Sequence, residues 1–276
     1  MEHLQILFEN INEDKKEILI ALLSDMGFDG FEEKDKNLKA FIPSIKFDED
    51  LFNTIIKINN VEYSKSIIKE ENWNKKWESD FEPVAVNHPV TNKPFVFIRA
   101  DFHQPNPSFF YDISITPKMS FGTGHHATTH SMAAYMSEIN FKNKTVIDFG
   151  TGTGVLAILA EKLGADHVIG IDNDDWSINN ATENLLVNIC EKIHLIKAET
   201  IPEAVKGQII LANINLNIIK ENIFAITNAA EINATFLFSG IMFHDEDKIV
   251  TTLNEGKLNI ESIYRSGDWL LLKAKN

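Results

Sequence analysis

The chain is short of cysteine, arginine and long apolar runs. Cys190 is its single cysteine, so no disulfide can form within it, and a reducing, cytoplasmic compartment is the expectation. No apolar run approaches the ~20 residues that a membrane helix needs. The first residues lack the basic-then-apolar pattern of a signal peptide, so no membrane partner is expected. Arg99 and Arg265 are the only arginines, and 26 basic side chains face 40 acidic ones for a net charge of −14. Residues 1–80 hold 11 basic and 18 acidic side chains and residues 81–276 hold 15 and 22, so each part stands at −7. Nucleic-acid binding depends on Lys and Arg neutralising phosphates. A direct, sequence-specific nucleic-acid partner is therefore not expected, and a basic partner suits the charge better. At 276 residues and 44% hydrophobic content the chain can build one large or two modest cores. Nothing in the pattern calls for an obligate interface, so a monomer is expected.

The densest information lies in Val146-Ile147-Asp148-Phe149-Gly150-Thr151-Gly152-Thr153-Gly154. A β-branched run ends in a carboxylate, and three glycines follow at alternate positions, which lets a loop turn sharply and lets a ligand approach its backbone. Val155 to Ala160 then reads as a helix whose first free N–H groups point towards that ligand. Twenty-two residues after Gly150, the apolar run His167-Val168-Ile169-Gly170-Ile171 ends in Asp172, where a ribose diol would be held. The spacing is G-x-G-x-G rather than the G-x-G-x-x-G of dinucleotide sites, and Asp148 would crowd a pyrophosphate. This loop resembles that of the class I S-adenosylmethionine-dependent methyltransferases. A Rossmann dehydrogenase, or a tight turn in another α/β protein, is the alternative.

The rest of the chain divides in three. Residues 1–71 alternate as β-α-β-β-α-β, an α+β ferredoxin-like arrangement, with helices over Ile11 to Met26 and Asp48 to Asn60 and no site chemistry of their own. Residues 72–118 form a linker with connecting strands at Phe95 to Arg99 and Tyr111 to Ile115. Trp73 and Trp77 sit there four residues apart, most simply as packing. Residues 119–276 alternate helix and strand after a helix over Thr128 to Glu138. Strands fall near 145–149, 167–171, 193–197, 208–212, 235–240, 258–264 and 268–274, the last two in an antiparallel hairpin. The expected fold is α/β: a seven-stranded Rossmann-like class I methyltransferase sheet with a small N-terminal ferredoxin-like domain. Ligands bind beyond the carboxyl ends of such strands, where Gly150, Asp172 and Asn213 all lie.

Upstream of the first helix runs Phe121-Gly122-Thr123-Gly124-His125-His126-Ala127-Thr128-Thr129, in which Thr128 and Thr129 can cap the helix. Together with the glycine loop, Ala212-Asn213-Ile214-Asn215 and the paired tryptophans, it resembles the bacterial methyltransferases of ribosomal protein eleven of the large subunit, over essentially the whole chain. The resemblance implies a substrate-recognition role for residues 1–71 and S-adenosyl-L-methionine as cofactor. It implies transfer of methyl groups to lysine ε-amines and the N-terminal α-amine of that ribosomal protein, free or on the ribosome, up to the trimethyl state. It implies that Thr129 meets the methionine part of the cofactor, Gly150 and the adjoining Gly152 its body, and Asp172 its ribose. Asn213 would line both the cofactor and the target amine as the catalytic residue. Asn215 departs from the family, which more often has a hydrophobic residue there. His125, His126 and His130 superficially suggest half a metal site, but no cysteine or carboxylate completes a ligand set, so no metal is expected and His126 is assigned to ordering the loop. The rival reading is an RNA methyltransferase acting on an exocyclic base amine. The missing Pro-Pro-aromatic platform and the missing basic patch count against it.

Overall fold

The computed structural model describes residues 2–69, 81–118 and 120–276. The expected Trp73 and Trp77 pair lies outside the described residues. The chain divides into two compact units, Met1–Lys76 and Trp77–Asn276.

The first unit runs β1 (Glu2–Phe8), α1 (Glu13–Asp25), β2 (Gly30–Lys34), β3 (Asn37–Pro43), α2 (Glu49–Asn59) and β4 (Ser64–Lys69). Its antiparallel sheet has the order β2-β3-β1-β4, the split-βαβ topology read from the sequence. Both helices start on side-chain caps, with Asn12 accepting from the Lys15 N–H and Asp48 from the Leu51 N–H, which satisfies donors the first turn leaves free. Leu19 and Leu23 of α1 and Phe52 and Ile55 of α2 join Leu4, Ile6, Phe8, Leu38, Ala40 and Ile42 of the sheet in one core.

The second unit opens with a three-stranded sheet of β5 (Val84–Asn87), β6 (Pro94–Ala100) and β7 (Tyr111–Ile115). The Val84-Ala85-Val86 strand was not anticipated; its alternation of buried and exposed residues is too short to stand out between prolines. There follow α3 (Ala127–Met136), β8 (Thr145–Phe149), α4 (Val155–Lys162), β9 (His167–Asp172), α5 (Asp175–Val187), β10 (Ile193–Lys197) and β11 (Gly207–Asn213). Then come α6 (Leu216–Asn228), β12 (Ala230–Met242), α7 (Glu246–Glu255), β13 (Asn259–Ser266) and β14 (Trp269–Lys275). These last seven strands form one sheet of order β10-β9-β8-β11-β12-β14-β13. Its pairings are parallel except those of β14, which runs antiparallel to both neighbours. This is the class I methyltransferase sheet.

Alternation along the strands splits the interior in two, because successive side chains point to opposite faces. Val146, Leu211, Leu237 and Leu271 join the α3 and α4 residues Met132, Leu156 and Leu159 and the small sheet's Val86, Ile98 and Ile113. Ile147, Ile210, Phe236 and Leu272 join Ile219 and Ile223 of α6 and Ile249 and Leu253 of α7 on the other face. Strand order reverses between β8 and β11, so the carboxyl ends of β8, β9 and β11 open onto one crevice.

A ladder of asparagines fixes the approach to α3. On α5 and its C-cap, Asn180, Asn184 and Asn188 recur every fourth residue and so share one helix face. Asn188 accepts from the Ser114 N–H at 3.0 Å and donates to the Ser114 carbonyl at 2.6 Å. Asn184 accepts from the Thr116 N–H at 2.7 Å, and Asn180 donates to the Thr116 carbonyl at 3.2 Å. Three side chains thus act as a strand's edge for the end of β7 and the residue beyond it. Asn180 and Asn184 are fully buried; both ends of the Asn184 amide are paired, whereas Asn180 Oδ1 has no hydrogen-bond partner.

Candidate active site

The crevice is a cavity of about 450 Å³ whose wall includes Gly150, Gly152, Asp172 and Asn213. Four of the five residues singled out from the sequence therefore meet in one place. The fifth, Thr129, is fully buried; its Oγ1 accepts a hydrogen bond from Asn213 Nδ2 at 3.0 Å, and its neighbour Thr128 lines the cavity instead. Asn213 is the last residue of β11, held by the sheet on one side and by Thr129 on the other. Its Oδ1 is buried and has no hydrogen-bond partner in the chain. A buried acceptor without a donor is expensive, and here it belongs to a residue on a cavity wall, where an N–H of a ligand can satisfy it.

The glycines are required by what presses on them. Gly150 has φ +80°, and a Cβ there would run into the Ile214 side chain; Gly152 has φ +54°, and a Cβ would meet the Phe121 carbonyl. Both backbones turn through the left-handed region that side chains resist. Asp172 holds this loop: its Oδ2 accepts from the Gly152 N–H at 2.9 Å and its Oδ1 from the Asp174 N–H at 3.1 Å. Each carboxylate oxygen keeps a second lone pair for a ligand hydroxyl.

Asp148 does not line the cavity. It sits 1% exposed beneath the loop, accepting from the Thr151 hydroxyl at 2.7 Å. Burial pushes its carboxyl from 3.8 up to about 7, and the charge on Asp172 adds to the rise. The Thr151 hydroxyl and the Ala157 N–H pull it down without offsetting the burial. The other Asp148 oxygen, Oδ1, is buried without a hydrogen-bond partner.

The opposite wall is aromatic. His126, not Thr128 or Thr129, is the N-cap of α3, its Nδ1 accepting from the Thr128 N–H at 3.4 Å; both threonines fall inside the helix. The His126 ring lies 4.7 Å from that of Trp269 in an edge-on contact and 5.3 Å from that of Phe121. All three rings face the cavity, as do Phe149 and Gly240. Asn173, Ser177, Ala198 and Glu199 line the wall beside Asp172, and Ile214, Asn215 and Ile218 line it beyond Asn213. Glu199 stands two residues beyond β10 and Gly240 near the carboxyl end of the parallel strand β12, where the strand-end rule could have found both; Trp269 carried no signal, because it arrives on the antiparallel strand β14. Asn215, the departure from the family pattern, is the N-cap of α6 and accepts from the Ile218 N–H at 3.1 Å, so a helix start accounts for it.

The donor set fits S-adenosylmethionine: a carboxylate for vicinal hydroxyls, a glycine cradle closed to Cβ atoms, and an unpaired amide oxygen near an aromatic wall. The family model described as ribosomal protein L11 methyltransferase (PrmA) matches residues 9–276. The chain is 34% identical to the ribosomal protein L11 methyltransferase of Chlorobaculum parvum, covering 99% of this chain and 97% of that one. It is 35% identical to the protein of the same name from Phocaeicola vulgatus over 79% of each. Among solved structures, the ribosomal protein L11 methylase of Lactobacillus delbrueckii subsp. bulgaricus matches with a TM-score of 0.62 at 30% identity, covering 69% of this chain and 97% of that one. Sheet order, cavity and sequence similarity agree, and the chain belongs to the ribosomal protein L11 methyltransferase family.

Proposed function

We propose that this chain transfers methyl groups from S-adenosylmethionine to amines of ribosomal protein L11, the lysine ε-amines and the N-terminal α-amine, up to the trimethyl state. The observation that carries this reading is the buried, unpartnered Oδ1 of Asn213 on the wall of the cavity. S-adenosylmethionine, when bound, supplies a methyl group already activated on a sulfonium. Asp172 holds the ribose hydroxyls, and the Gly150 and Gly152 backbones lie against the cofactor. Thr129, buried behind the wall, fixes the Asn213 amide through its hydroxyl so that Oδ1 faces the amine.

An ammonium has no lone pair and an ordinary lysine pKa of about 10.4, so the target must lose a proton before it can attack. The apolar wall of Phe121, Phe149 and Trp269 strips water from the amine and lowers that pKa. In the first two transfers Asn213 Oδ1 accepts an amine N–H and so aims the nitrogen lone pair; the dimethylamine has no N–H left and is aligned for the third by the cavity wall alone, and each proton lost leaves to solvent. Alignment of this kind is where such a site gains its rate. Residues 1–71 hold the basic substrate protein, a role that suits their acidic balance. The protein acts as a cytoplasmic monomer with no sequence-specific contact to nucleic acid; among the described residues no helix is long and apolar enough to cross a membrane.

The test is methyl-labelled S-adenosylmethionine with ribosomes and free ribosomal proteins from a strain lacking this enzyme. Label in L11 supports the reading. Label in the RNA fraction would turn it towards the base-amine alternative.

A further inference from the structure

Thr153 takes no part in the cavity wall, yet every polar group it has is engaged. Its N–H donates to the Phe121 carbonyl at 3.0 Å, and its Oγ1 donates to the Gly122 carbonyl at 2.7 Å. Its own carbonyl accepts from Asn184 Nδ2 at 2.8 Å, and the Oδ1 of that asparagine takes the Thr116 N–H. The residue is fully buried. One side chain between two loop glycines therefore binds the cofactor loop to the Phe121-Gly122 segment, while α5 fixes the start of the same segment through Thr116.

That segment carries the aromatic wall. Phe121 packs on His126, and His126 packs on Trp269. His126 also caps the helix that presents Thr129, and through it Asn213. The approach is close enough that a Cβ on Gly122 would stand 2.9 Å from Thr153 Oγ1, tighter than side chains tolerate. A shift at Phe121 and Gly122 moves the surface against which a target amine is aligned, but leaves Asp172 and the glycine backbones in place.

We infer that Thr153 is a positioning residue for methyl transfer: its hydroxyl latches the Phe121–His126 wall to the cofactor loop and so sets the geometry of the amine relative to the cofactor. The inference rests on the methyltransferase reading above. It predicts a separation between binding and turnover, because the latch touches neither the ribose carboxylate nor Asn213 directly. Misplacement of reacting groups by about 1 Å costs on the order of a hundredfold in rate. A partial release of the wall should therefore lower kcat by at least about tenfold.

The experiment compares Thr153→Val, which keeps the shape and loses the hydroxyl, with Thr153→Ser, which keeps the hydroxyl, in the full-length protein. Three quantities are read: the S-adenosylmethionine dissociation constant by calorimetry, kcat and KM for L11, and the thermal midpoint. The expected result is a cofactor affinity within about threefold of wild type for both variants, with kcat reduced at least tenfold in Thr153→Val and restored in Thr153→Ser. Wild-type kcat in a folded Thr153→Val protein overturns the inference. So does a loss confined to cofactor affinity or thermal midpoint, or a Thr153→Ser variant as slow as Thr153→Val. If Thr153→Val does not fold, Thr153→Cys takes its place, keeping bulk with a weaker donor, and is read in the same way. A wild-type protein that methylates no L11 at all would instead overturn the functional reading.

Discussion

Replacing Asp148 with asparagine removes a charge that the fold keeps out of water. The carboxyl is 1% exposed, and its pKa stands at about 7 against an ordinary 3.8. Below 3.8 the group is neutral in both folded and unfolded chains, and its burial then costs little. Between the two values the unfolded chain releases the proton and the folded chain keeps it, so stability falls by about 1.4 kcal/mol per pH unit. Above 7 both states are ionised and the fall stops. Integrated from pH 5.5 to 8.5, this one group removes about 2 kcal/mol. Asparagine has nearly the same shape, its carbonyl still accepts from the Thr151 hydroxyl, and it does not titrate. The difference in unfolding free energy between Asp148→Asn and wild type should therefore grow by about 2 kcal/mol, in favour of the variant, across that interval. Urea titrations at both pH values measure it, following the transition that S-adenosylmethionine shifts upward and that therefore belongs to the catalytic unit. Other titrating groups cancel in the difference. A difference that stays constant within about 0.5 kcal/mol would refute the burial argument.

Three further substitutions test the rest of the site. Asp172→Ala removes the ribose partner and both loop amide contacts, so S-adenosylmethionine binding should weaken by roughly 2–3 kcal/mol; unchanged affinity by calorimetry would mean the nucleoside end is misplaced. Gly150→Ala drives a Cβ into Ile214 and should abolish measurable cofactor binding, whereas Gly267→Ala, also at positive φ but with nothing within 4 Å, should bind normally and lose only about 1 kcal/mol of stability. Equal behaviour of the two alanines would assign the effect to backbone strain rather than to the contact. Asn213→Ala deletes the acceptor for the amine and should lower kcat by about a hundredfold with KM for L11 little changed, as steady-state kinetics would show; an effect on KM alone would make Asn213 a docking residue.

The large sheet was legible because its strands are apolar runs ending in chemistry: Val146 to Phe149 before the glycines, His167 to Ile171 before Asp172, and the run that ends in Asn213. Those residues share a strand-end position, so their meeting in the crevice followed from the rule for parallel sheets. What the sequence hid depends on partners far away in the chain. Asn180, Asn184 and Asn188 look like a solvated helix face, yet they dock the end of β7. Thr153 looks like a spacer between glycines, and its hydroxyl crosses to Gly122. Thr128 and Thr129 have good capping chemistry, but His126 takes the cap two residues before Thr128, and the threonines are buried where Thr129 can reach Asn213. Trp269 reaches the site from a hairpin that runs against the rest of the sheet.

The most direct test of the central claim is the intact mass of purified L11 after incubation with this protein and S-adenosylmethionine, alongside the Asn213→Ala variant. The account predicts a mass that climbs in methyl steps on amine-bearing peptides with the wild-type protein and barely moves with the variant. An unchanged L11 mass under conditions where the cofactor binds would contradict it.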